Sequence, residues 1–354
     1  MNDGRIKAGI IGFGYMGNFH MNRMRKMNGM EPYAAFDIDG TKLLDAKEEG
    51  LLIYNELSSF LNDDEIDLVV ICTPNEVHAE LAIHALNAGK HVLCEKPATM
   101  SVAELEEVLE SARRNNRIFT THQNRRWDND YKVVKQIVKE QTIGGITTIL
   151  SQTFGQRGVC FGWRADPEKG GGMMYDWGVH LIDQLLMLFD DRKVISVYAR
   201  LRSILTPVVD DYFELELEFE RDVVAHISVG TFALQNVPRW FVFGDKGTLK
   251  LDDFSGTKGG ISKIKDNIRG FRRVAQNASL GPSRTMAHLE KENFEDIYLP
   301  VVEDTPYEFY RNLIASIKGE ETQVVTPEQM LRAMKVIETA FESSKQHTVI
   351  KKLI

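Results

Sequence analysis

Short apolar segments alternate with amphipathic segments along the chain up to about residue 123. The amphipathic segments repeat their apolar residues at helical spacing, whereas the apolar segments are as short as ordinary strands. This alternation predicts a parallel β-sheet whose strands are joined by helices. The predicted strands are residues 6–11, 33–36, 51–54, 66–73, 91–94 and 118–121.

Two of the predicted helices have recognisable end signals. Asn75 is placed to cap one helix, and Gly89 is placed to end it in the left-handed conformation. A second helix is predicted from Ser101 to about Asn115, because Glu104 follows Ser101 at capping-box spacing.

The pattern changes from about residue 145, where apolar and polar residues begin to alternate one by one. Such alternation is typical of an antiparallel sheet with one face in water. Strands are predicted at residues 146–154, 194–203, 212–219, 223–232, 240–243 and 248–251, and helices at residues 306–317 and 327–344. We therefore predict an α/β protein with two domains, residues 1–123 and 124–354, the second of α+β type with a mostly antiparallel sheet.

Composition excludes several classes of function. The 354 residues have a formal net charge of -8, whereas a general nucleic-acid binder needs a basic face. Cys72, Cys94 and Cys160 lack metal-ligand spacing and are typical of buried thiols in a reducing compartment. No predicted segment resembles a signal peptide or reaches membrane-spanning length. We expect a soluble, cytoplasmic protein that acts on small molecules, with neither nucleic acid nor a membrane as its partner.

A glycine-rich turn follows the first predicted strand. It consists of Gly12, Phe13, Gly14, Tyr15, Met16 and Gly17. This spacing lets a backbone contact a pyrophosphate, and a helix predicted over residues 18–27 would direct its N-terminal amides at the phosphate oxygens. The alternative is a tight strand-to-helix turn without a ligand.

An acidic residue at the end of the second predicted strand favours the ligand-binding interpretation. Asp37 lies twenty residues after Gly17, where a carboxylate can accept hydrogen bonds from both hydroxyls of an adenosine ribose. The same carboxylate would repel a 2′-phosphate, and no arginine immediately follows it. The sequence therefore predicts NAD as the cofactor, with NADP disfavoured.

Further polar residues follow the fourth and fifth predicted strands, at the sheet edge where ligands collect. After the fifth strand come Glu95, Lys96 and Pro97, and a lysine held there could donate to a substrate hydroxyl and stabilise an alkoxide. The alternative is a surface lysine paired with Glu95. After the fourth strand come Thr73, Pro74, Asn75 and His78, which either contact the cofactor or serve only as a loop and a helix cap.

A third candidate cluster begins with three glycines at residues 170–172 and continues into a predicted helix. Asp176, His180 and Asp183 follow at spacings of four and three residues, so they share one helix face. Flanking carboxylates are expected to fix the imidazole tautomer and to favour its protonated form. Metal binding is the alternative, but no second histidine stands at partner spacing, so no metal is predicted.

A polar, basic stretch between Asp253 and Glu295 does not follow either pattern. It contains Lys258, Lys263, Lys265, Arg269, Arg272, Arg273 and Arg284. A loop of this length in a compact domain is usually a lid, an oligomer contact or a mobile segment. A solvated excursion without any chemical role is equally compatible with the sequence.

Taken together, the glycine turn, Glu95-Lys96-Pro97 and the run from three glycines to Asp183 resemble the Gfo/Idh/MocA family, which includes glucose-fructose oxidoreductase and inositol dehydrogenase relatives. The resemblance implies a Rossmann domain followed by an open-faced, mainly antiparallel sheet used in homodimer or homotetramer contacts. It also implies that Lys96, Asp176 and His180 are catalytic.

Two shorter segments extend the resemblance. Trp163-Arg164 resembles the family's tryptophan-arginine pair near cofactor and substrate, and residues 124–128 resemble a segment of the branch that contains scyllo-inositol dehydrogenases. The resemblance implies that Gln123, Asn124, Trp163 and Arg164 bind the cofactor, together with the residues after the fourth and fifth strands. The implied substrate-binding residues are Lys96, Arg126, Trp163, Asp176 and His180.

The function expected from these features is an NAD-dependent oxidoreductase. It would transfer a hydride between a secondary alcohol of a sugar, cyclitol or glycoside and the nicotinamide. Three alternatives stay open: a dehydrogenase acting on the C3 hydroxyl of glucosides, a redox-neutral glycosidase that recycles bound NAD, and a non-catalytic NAD-binding sensor.

Overall fold

The computed structural model describes residues 4–158, 160–265 and 288–354, which form two β-sheets with helices packed against them. The first sheet is parallel and has six strands in the order β3-β2-β1-β4-β5-β6. Its strands are β1 (Ile6–Ile11), β2 (Met30–Phe36), β3 (Leu52–Tyr54), β4 (Leu68–Ile71), β5 (His91–Cys94) and β6 (Phe119–Thr121). This is the strand order of a Rossmann domain, as the sequence predicts, and it leaves a crevice where the order reverses between β1 and β4.

Five helices cover this sheet. They are α1 (Tyr15–Met24), α2 (Gly40–Glu48), α3 (Leu57–Leu61), α4 (His78–Asn87) and α5 (Val102–Arg114). The capping box predicted for α5 is confirmed, because Ser101 and Glu104 each bond the other's backbone amide. The predicted cap of α4 is wrong. A 3₁₀ turn precedes α4, and the buried Asn75 side chain instead donates to the carbonyl oxygen of Gly170 at 2.8 Å.

The second sheet has nine strands in the order β14-β13-β12-β11-β7-β10-β9-β8-β15. They are β7 (Ile146–Phe154), β8 (Val194–Arg202), β9 (Tyr212–Phe219), β10 (Val223–Gly230), β11 (Trp240–Gly244), β12 (Gly247–Leu251), β13 (Gly259–Ile264), β14 (Phe294–Ile297) and β15 (Ile350–Lys351). All pairs are antiparallel except β7 with β10. Burial alternates along β9, so one face of the sheet packs on the core and the other is exposed.

Four further helices follow the first sheet in the described part of the chain. They are α6 (Asn129–Lys139), α7 (Val179–Leu188), α8 (Glu308–Ile317) and α9 (Pro327–Gln346). Among them, α7 and α9 contact strands of the second sheet. Helix α9 contacts α5, α7, β6 and β8, so it joins the two halves of the chain through one continuous core. In the described part of the chain, no helix is long and apolar enough to cross a membrane.

The basic stretch after Asp253 is not one long loop, as the sequence suggested. Its ends form the antiparallel pair β13 and β14 at one edge of the second sheet. Lys258 pairs with Asp253 at 2.9 Å, and Lys265 donates to the carbonyl oxygen of Glu292. Of the basic residues named above, Arg269, Arg272, Arg273 and Arg284 lie outside the described residues.

A buried ion pair fixes the turn that connects the two sheets. Arg126 donates to both carboxylate oxygens of Asp183, at 2.7 and 2.6 Å, and further to the Val324 carbonyl and the Gln329 side chain. Its side chain is 6% exposed and that of Asp183 is 5% exposed. These contacts engage four of the five N–H donors of the buried guanidinium, and they contradict the expectation that Arg126 binds substrate.

Replacing Arg126 by methionine should therefore affect folding more than substrate binding. Arg126→Met leaves the Asp183 carboxylate buried without its partner, so we expect the free energy of unfolding to fall by about 3–5 kcal/mol. Denaturant unfolding of the variant measures this loss. The matched control is Arg113→Met, which removes an exposed pair with Glu110 and should leave the unfolding midpoint unchanged. An unchanged midpoint with a raised KM for substrate would instead return Arg126 to the binding site.

Candidate functional site

The glycine turn after β1 is shaped by close contacts and by open space. Gly12 has a φ of +89°, and a Cβ there would lie 2.7 Å from the carbonyl oxygen of Cys72. A Cβ on Gly17 would overlap the carbonyl oxygen of Gly12, whereas a Cβ on Gly14 would meet nothing within 4 Å. Gly12 and Gly17 are thus required by the packing of the turn itself. Gly14 leaves room for a ligand to approach the backbone.

Asp37 holds this turn from the end of β2. Its carboxylate accepts hydrogen bonds from the Phe13 amide at 2.7 Å and from the Asp39 amide at 2.9 Å. Helix α1 begins at Tyr15, and Gly14 at its N-cap gives no side-chain hydrogen bond to the first turn. An uncapped helix N-terminus, an open glycine and a carboxylate at the ribose position together fit a dinucleotide.

Lys96 and Asp176 join the two sheets through an ion pair. The Lys96 ammonium donates to the Asp176 carboxylate at 2.6 Å and to the Asp176 carbonyl oxygen at 2.9 Å. Their side chains are 15% and 21% exposed. Two segments that are 80 residues apart in the sequence thus meet at the carboxyl edge of the first sheet. An ammonium has three donors, so one donor of Lys96 stays free for a ligand oxygen.

The charge state of Asp176 follows from its cationic neighbours. Burial alone would raise the pKa of its carboxyl group, but the Lys96 ammonium lowers it, and so does the Arg164 guanidinium, 3.6 Å away. The net effect is an Asp176 pKa below its ordinary value. Asp176 is therefore a carboxylate that holds the Lys96 ammonium in place.

His180 lies one helical turn after Asp176 and is buried. Burial lowers the pKa of His180 well below its ordinary value, and the charges of Lys96 and Arg125 lower it further. The expectation that flanking carboxylates favour its protonated form is wrong. Asp183 is paired with Arg126 and Asp176 with Lys96, so neither carboxylate offsets the effect of burial on the imidazole. The imidazole is neutral and able to accept a proton.

A π-helical turn at Met174–Gly178 connects the three glycines to α7. The Met174 amide donates to the Asp210 carboxyl group at 2.8 Å, and a Cβ on Gly172, whose φ is +103°, would overlap that carboxyl group. Gly172 therefore permits a close approach that anchors the turn carrying Asp176. Burial raises the pKa of Asp210 to about 7.

The residues after β4 support the site more than they line it. The buried His78 ring places Nδ1 2.8 Å from the Pro97 carbonyl oxygen and Nε2 3.1 Å from the Thr73 carbonyl oxygen. It therefore holds the loop after β4 against the loop after β5. The Asn75 amide group and the His78 ring face protein carbonyl oxygens, and their expected contacts with the cofactor stay a prediction. Pro74 is half-buried in the same loop.

Three buried polar atoms at this edge have no hydrogen-bond partner among the described residues. They are Thr73 Oγ1, Gln123 Oε1 and His180 Nδ1. Buried polar atoms are rarely left unpaired in proteins, so a ligand or water is expected to satisfy them. Gln123 and Thr73 are among the residues predicted to bind the cofactor, and these atoms fit such a role.

The predicted Trp163-Arg164 pair lies next to Asp176. Both residues belong to a 3₁₀ turn at Gly162–Ala165, and the Arg164 guanidinium stacks on the Trp163 ring at 4.4 Å. Since Arg164 also approaches Asp176, the structure brings the pair to Lys96. Asn124 lines a separate polar cavity of about 310 Å³, next to Arg125 and His122.

The sequence interpretation missed Arg125, which lies where Arg126 was expected. Its guanidinium stacks on the Trp177 ring at 4.3 Å and pairs with Asp128 at 2.8 Å. The Gln184 amide group fixes its backbone by donating to the Arg125 carbonyl oxygen at 2.7 Å. Adjacent residues in a 3₁₀ turn point in different directions. The sequence alone does not show which of the two arginines has the buried partner Asp183.

Glu95 is also placed differently from the expectation that it binds cofactor. It is buried, and Oε1 lies 2.9 Å from His20 Nε2 and 2.8 Å from His122 Nδ1. Its other oxygen accepts from the Lys96 amide at 3.2 Å. Both carboxylate oxygens are engaged by protein donors, so Glu95 contacts the site only through Lys96.

Comparison with protein families gives two matches. Residues 6–123 match a family described as an oxidoreductase family with an NAD-binding Rossmann fold, and residues 131–250 match the GFO/IDH/MocA C-terminal domain. The two matched segments lie on the first and second sheets respectively.

Individual relatives agree with these matches over nearly the whole chain. Scyllo-inositol 2-dehydrogenase (NADP(+)) IolW of Bacillus subtilis is 28% identical, covering 98% of this chain and 95% of the relative. The uncharacterized oxidoreductase YdgJ of Escherichia coli is 30% identical, covering 98% of each chain. The crystal structure of an NAD-binding protein from Listeria innocua is 35% identical, with a TM-score of 0.87 over 98% of this chain and 97% of that one. The chain belongs to the Gfo/Idh/MocA family of oxidoreductases.

Proposed function

We propose that the protein oxidises a secondary alcohol of a sugar, cyclitol or glycoside with NAD, and catalyses the reverse reduction. The observation that carries this proposal is the ion pair between Lys96 and Asp176 next to a buried, neutral His180. An ammonium and a neutral imidazole on one crevice supply the two functions that alcohol oxidation needs from a protein. They are a donor for the developing oxyanion and an acceptor for the hydroxyl proton.

The proposed steps use the charge states described above. The free donor of Lys96 holds the substrate oxygen, and His180 accepts the hydroxyl proton while the carbon loses a hydride. Bound NAD supplies the hydride acceptor in its nicotinamide ring. The products are a ketone, NADH and one proton. Asp176 keeps the ammonium oriented, and Arg164 shares the charge of that carboxylate.

The substrate class rests on the number of polar groups that surround the crevice. Lys96, Asp176 and His180 can each bond a hydroxyl, and the guanidinium groups of Arg125 and Arg164 lie beside them. A ligand with several hydroxyls satisfies such a set better than a simple alcohol. The relative IolW is named for a cyclitol, and other relatives are named inositol 2-dehydrogenase. Both names support a cyclitol or sugar ring.

The preference for NAD rests on Asp37. Its carboxylate would accept hydrogen bonds from a ribose diol, but it would repel the 2′-phosphate of NADP. Asp39, two residues later, adds a second negative charge at the same end of β2. The relative IolW is named for NADP(+), so the cofactor is a direct test of this assignment.

The first test replaces the two groups that handle the substrate oxygen. Lys96→Met and His180→Ala should each lower kcat by about 100-fold or more, because oxyanion stabilisation and proton transfer each contribute at least that much. Purified enzyme is assayed for NADH formation with a panel of inositols, aldoses and glycosides. The surface variants Lys47→Met and His84→Ala serve as matched controls and should keep wild-type rates. Near-wild-type activity of either site variant would refute the assignment.

A second test uses the charge of Arg125. Because the lowered pKa of His180 keeps its imidazole neutral, activity should persist below pH 6.5 and be lost only as the pH falls through that lowered pKa. Arg125→Met removes one of the two cations and should raise the His180 pKa. The acid limb of the kcat/KM profile should therefore move to higher pH. A limb that stays in place would show that another group is the proton acceptor.

A third test separates the two cofactors. Asp37→Ala should raise the KM for NAD by about 10-fold or more, since a hydrogen bond to a charged group contributes about 1.5–3 kcal/mol. Removing the repulsion should at the same time lower the KM for NADP. Initial rates with each cofactor measure both changes in one preparation. A variant that weakens both cofactors equally would show that Asp37 only supports the glycine turn through Phe13.

A further inference from the structure

A buried hydrogen-bond network contacts the Lys96 amide and includes side chains from three other parts of the fold. Glu95 follows β5, His20 belongs to α1, His122 follows β6 and Tyr310 belongs to α8. All four are buried, and the rings of His20 and His122 lie 4.6 Å apart. The network thus connects the Lys96 backbone to His20, far earlier in the chain, and to Tyr310, far later in it.

The protons of this network follow from the chemistry of its groups, because a carboxylate can only accept hydrogen bonds. The two imidazoles donate to Glu95 Oε1 at 2.9 and 2.8 Å, and Tyr310 donates its hydroxyl to His20 Nδ1 at 2.9 Å. His20 is then neutral with its proton on Nε2. Burial would raise the pKa of Glu95, but His122 and His20 together hold it well below its ordinary value. Glu95 is therefore a buried carboxylate with three N–H donors, the third being the Lys96 amide.

One side-chain atom each from His20, Glu95 and His122 could in principle hold a divalent cation, since these atoms lie within 4.8 Å of one another. A cation would need both ring nitrogens unprotonated where they face Glu95. The separations of 2.8 and 2.9 Å are those of charge-assisted N–H to carboxylate hydrogen bonds, which account for each contact without an ion. The hydrogen-bonded network is therefore the arrangement that the geometry favours.

We propose that Glu95 is a positioning residue that fixes the main chain at Lys96 and thereby aims its ammonium at Asp176 and the substrate oxygen. This inference rests on the proposed function of Lys96. Its physical basis is that Glu95 Oε2 bonds the Lys96 amide while Oε1 is locked by two rings from separate elements. Any displacement of the carboxylate moves the backbone that carries the ammonium.

Glu95→Gln is the sharpest variant because it keeps the shape and removes one acceptor. Three N–H donors then face an amide that has a single oxygen and an NH₂ group. Either the Lys96 amide or the imidazoles must lose their partner. Since displacements of about 1 Å in an active site can cost about 100-fold in rate, we expect kcat to fall by about that factor. The KM for NAD should stay unchanged, because the glycine turn and Asp37 are not touched.

Two further variants keep the test decisive. Tyr310→Phe removes only the hydroxyl that orients His20, and it should lower kcat in the same direction by a smaller factor, even if Glu95→Gln fails to fold. Glu104→Gln is the matched control, since Glu104 also accepts two backbone amides, those of Met100 and Ser101, but has no contact with Lys96. It should leave kcat unchanged and lower only the thermal unfolding midpoint.

The experiment measures kcat, KM for NAD and polyol, and the unfolding midpoint for each variant beside Lys96→Met. Wild-type kcat in Glu95→Gln, with Lys96→Met inactive, overturns the positioning role and leaves the proposed function intact. An active Lys96→Met overturns the proposed function itself. Parallel assays add EDTA and then Zn²⁺ or Mn²⁺. Loss of activity with EDTA and its recovery with either ion would overturn the network in favour of a metal site.

Discussion

The ion pair between Lys96 and Asp176 is the contact on which the candidate site depends. It spans the two sheets, and the charge of its Lys96 ammonium adds to burial in lowering the pKa of His180. Without the carboxylate, a half-buried ammonium would lose its partner and its direction. The ion pair therefore links the relative placement of the two halves of the chain to the chemistry proposed between them.

The surrounding scaffold keeps this contact in register through buried polar anchors. Asp210 holds the turn that carries Asp176, and Glu95 holds the backbone of Lys96 from below. Asp210 bonds the amide two residues before Asp176, and Glu95 bonds the amide of Lys96 itself. Anchors of this kind control position without occupying the crevice, so the crevice itself stays available for cofactor and substrate.

Sequence patterns were sufficient for features that depend on neighbouring residues. The strands His91–Cys94, Ile146–Phe154 and Tyr212–Phe219 have the predicted bounds. Burial on one or both faces of a strand determines the local order of its apolar and polar residues, so the sequence shows it directly. Features set by distant partners could not be predicted in this way. The neutral state of His180 depends on which carboxylates are already paired, and the surroundings of Glu95 depend on rings that are remote in the chain.

Arg125 and Arg126 show how adjacent residues can be held by entirely different contacts. Arg126 is tied to Asp183 inside the protein, whereas Arg125 is only half-buried and is held by a partly exposed carboxylate, Asp128. A change at Arg125 alters the electrostatic environment of the imidazole without creating an orphaned buried charge. A substitution at Arg125 should therefore cost the fold less than one at Arg126, whose pair with Asp183 holds the junction between the sheets.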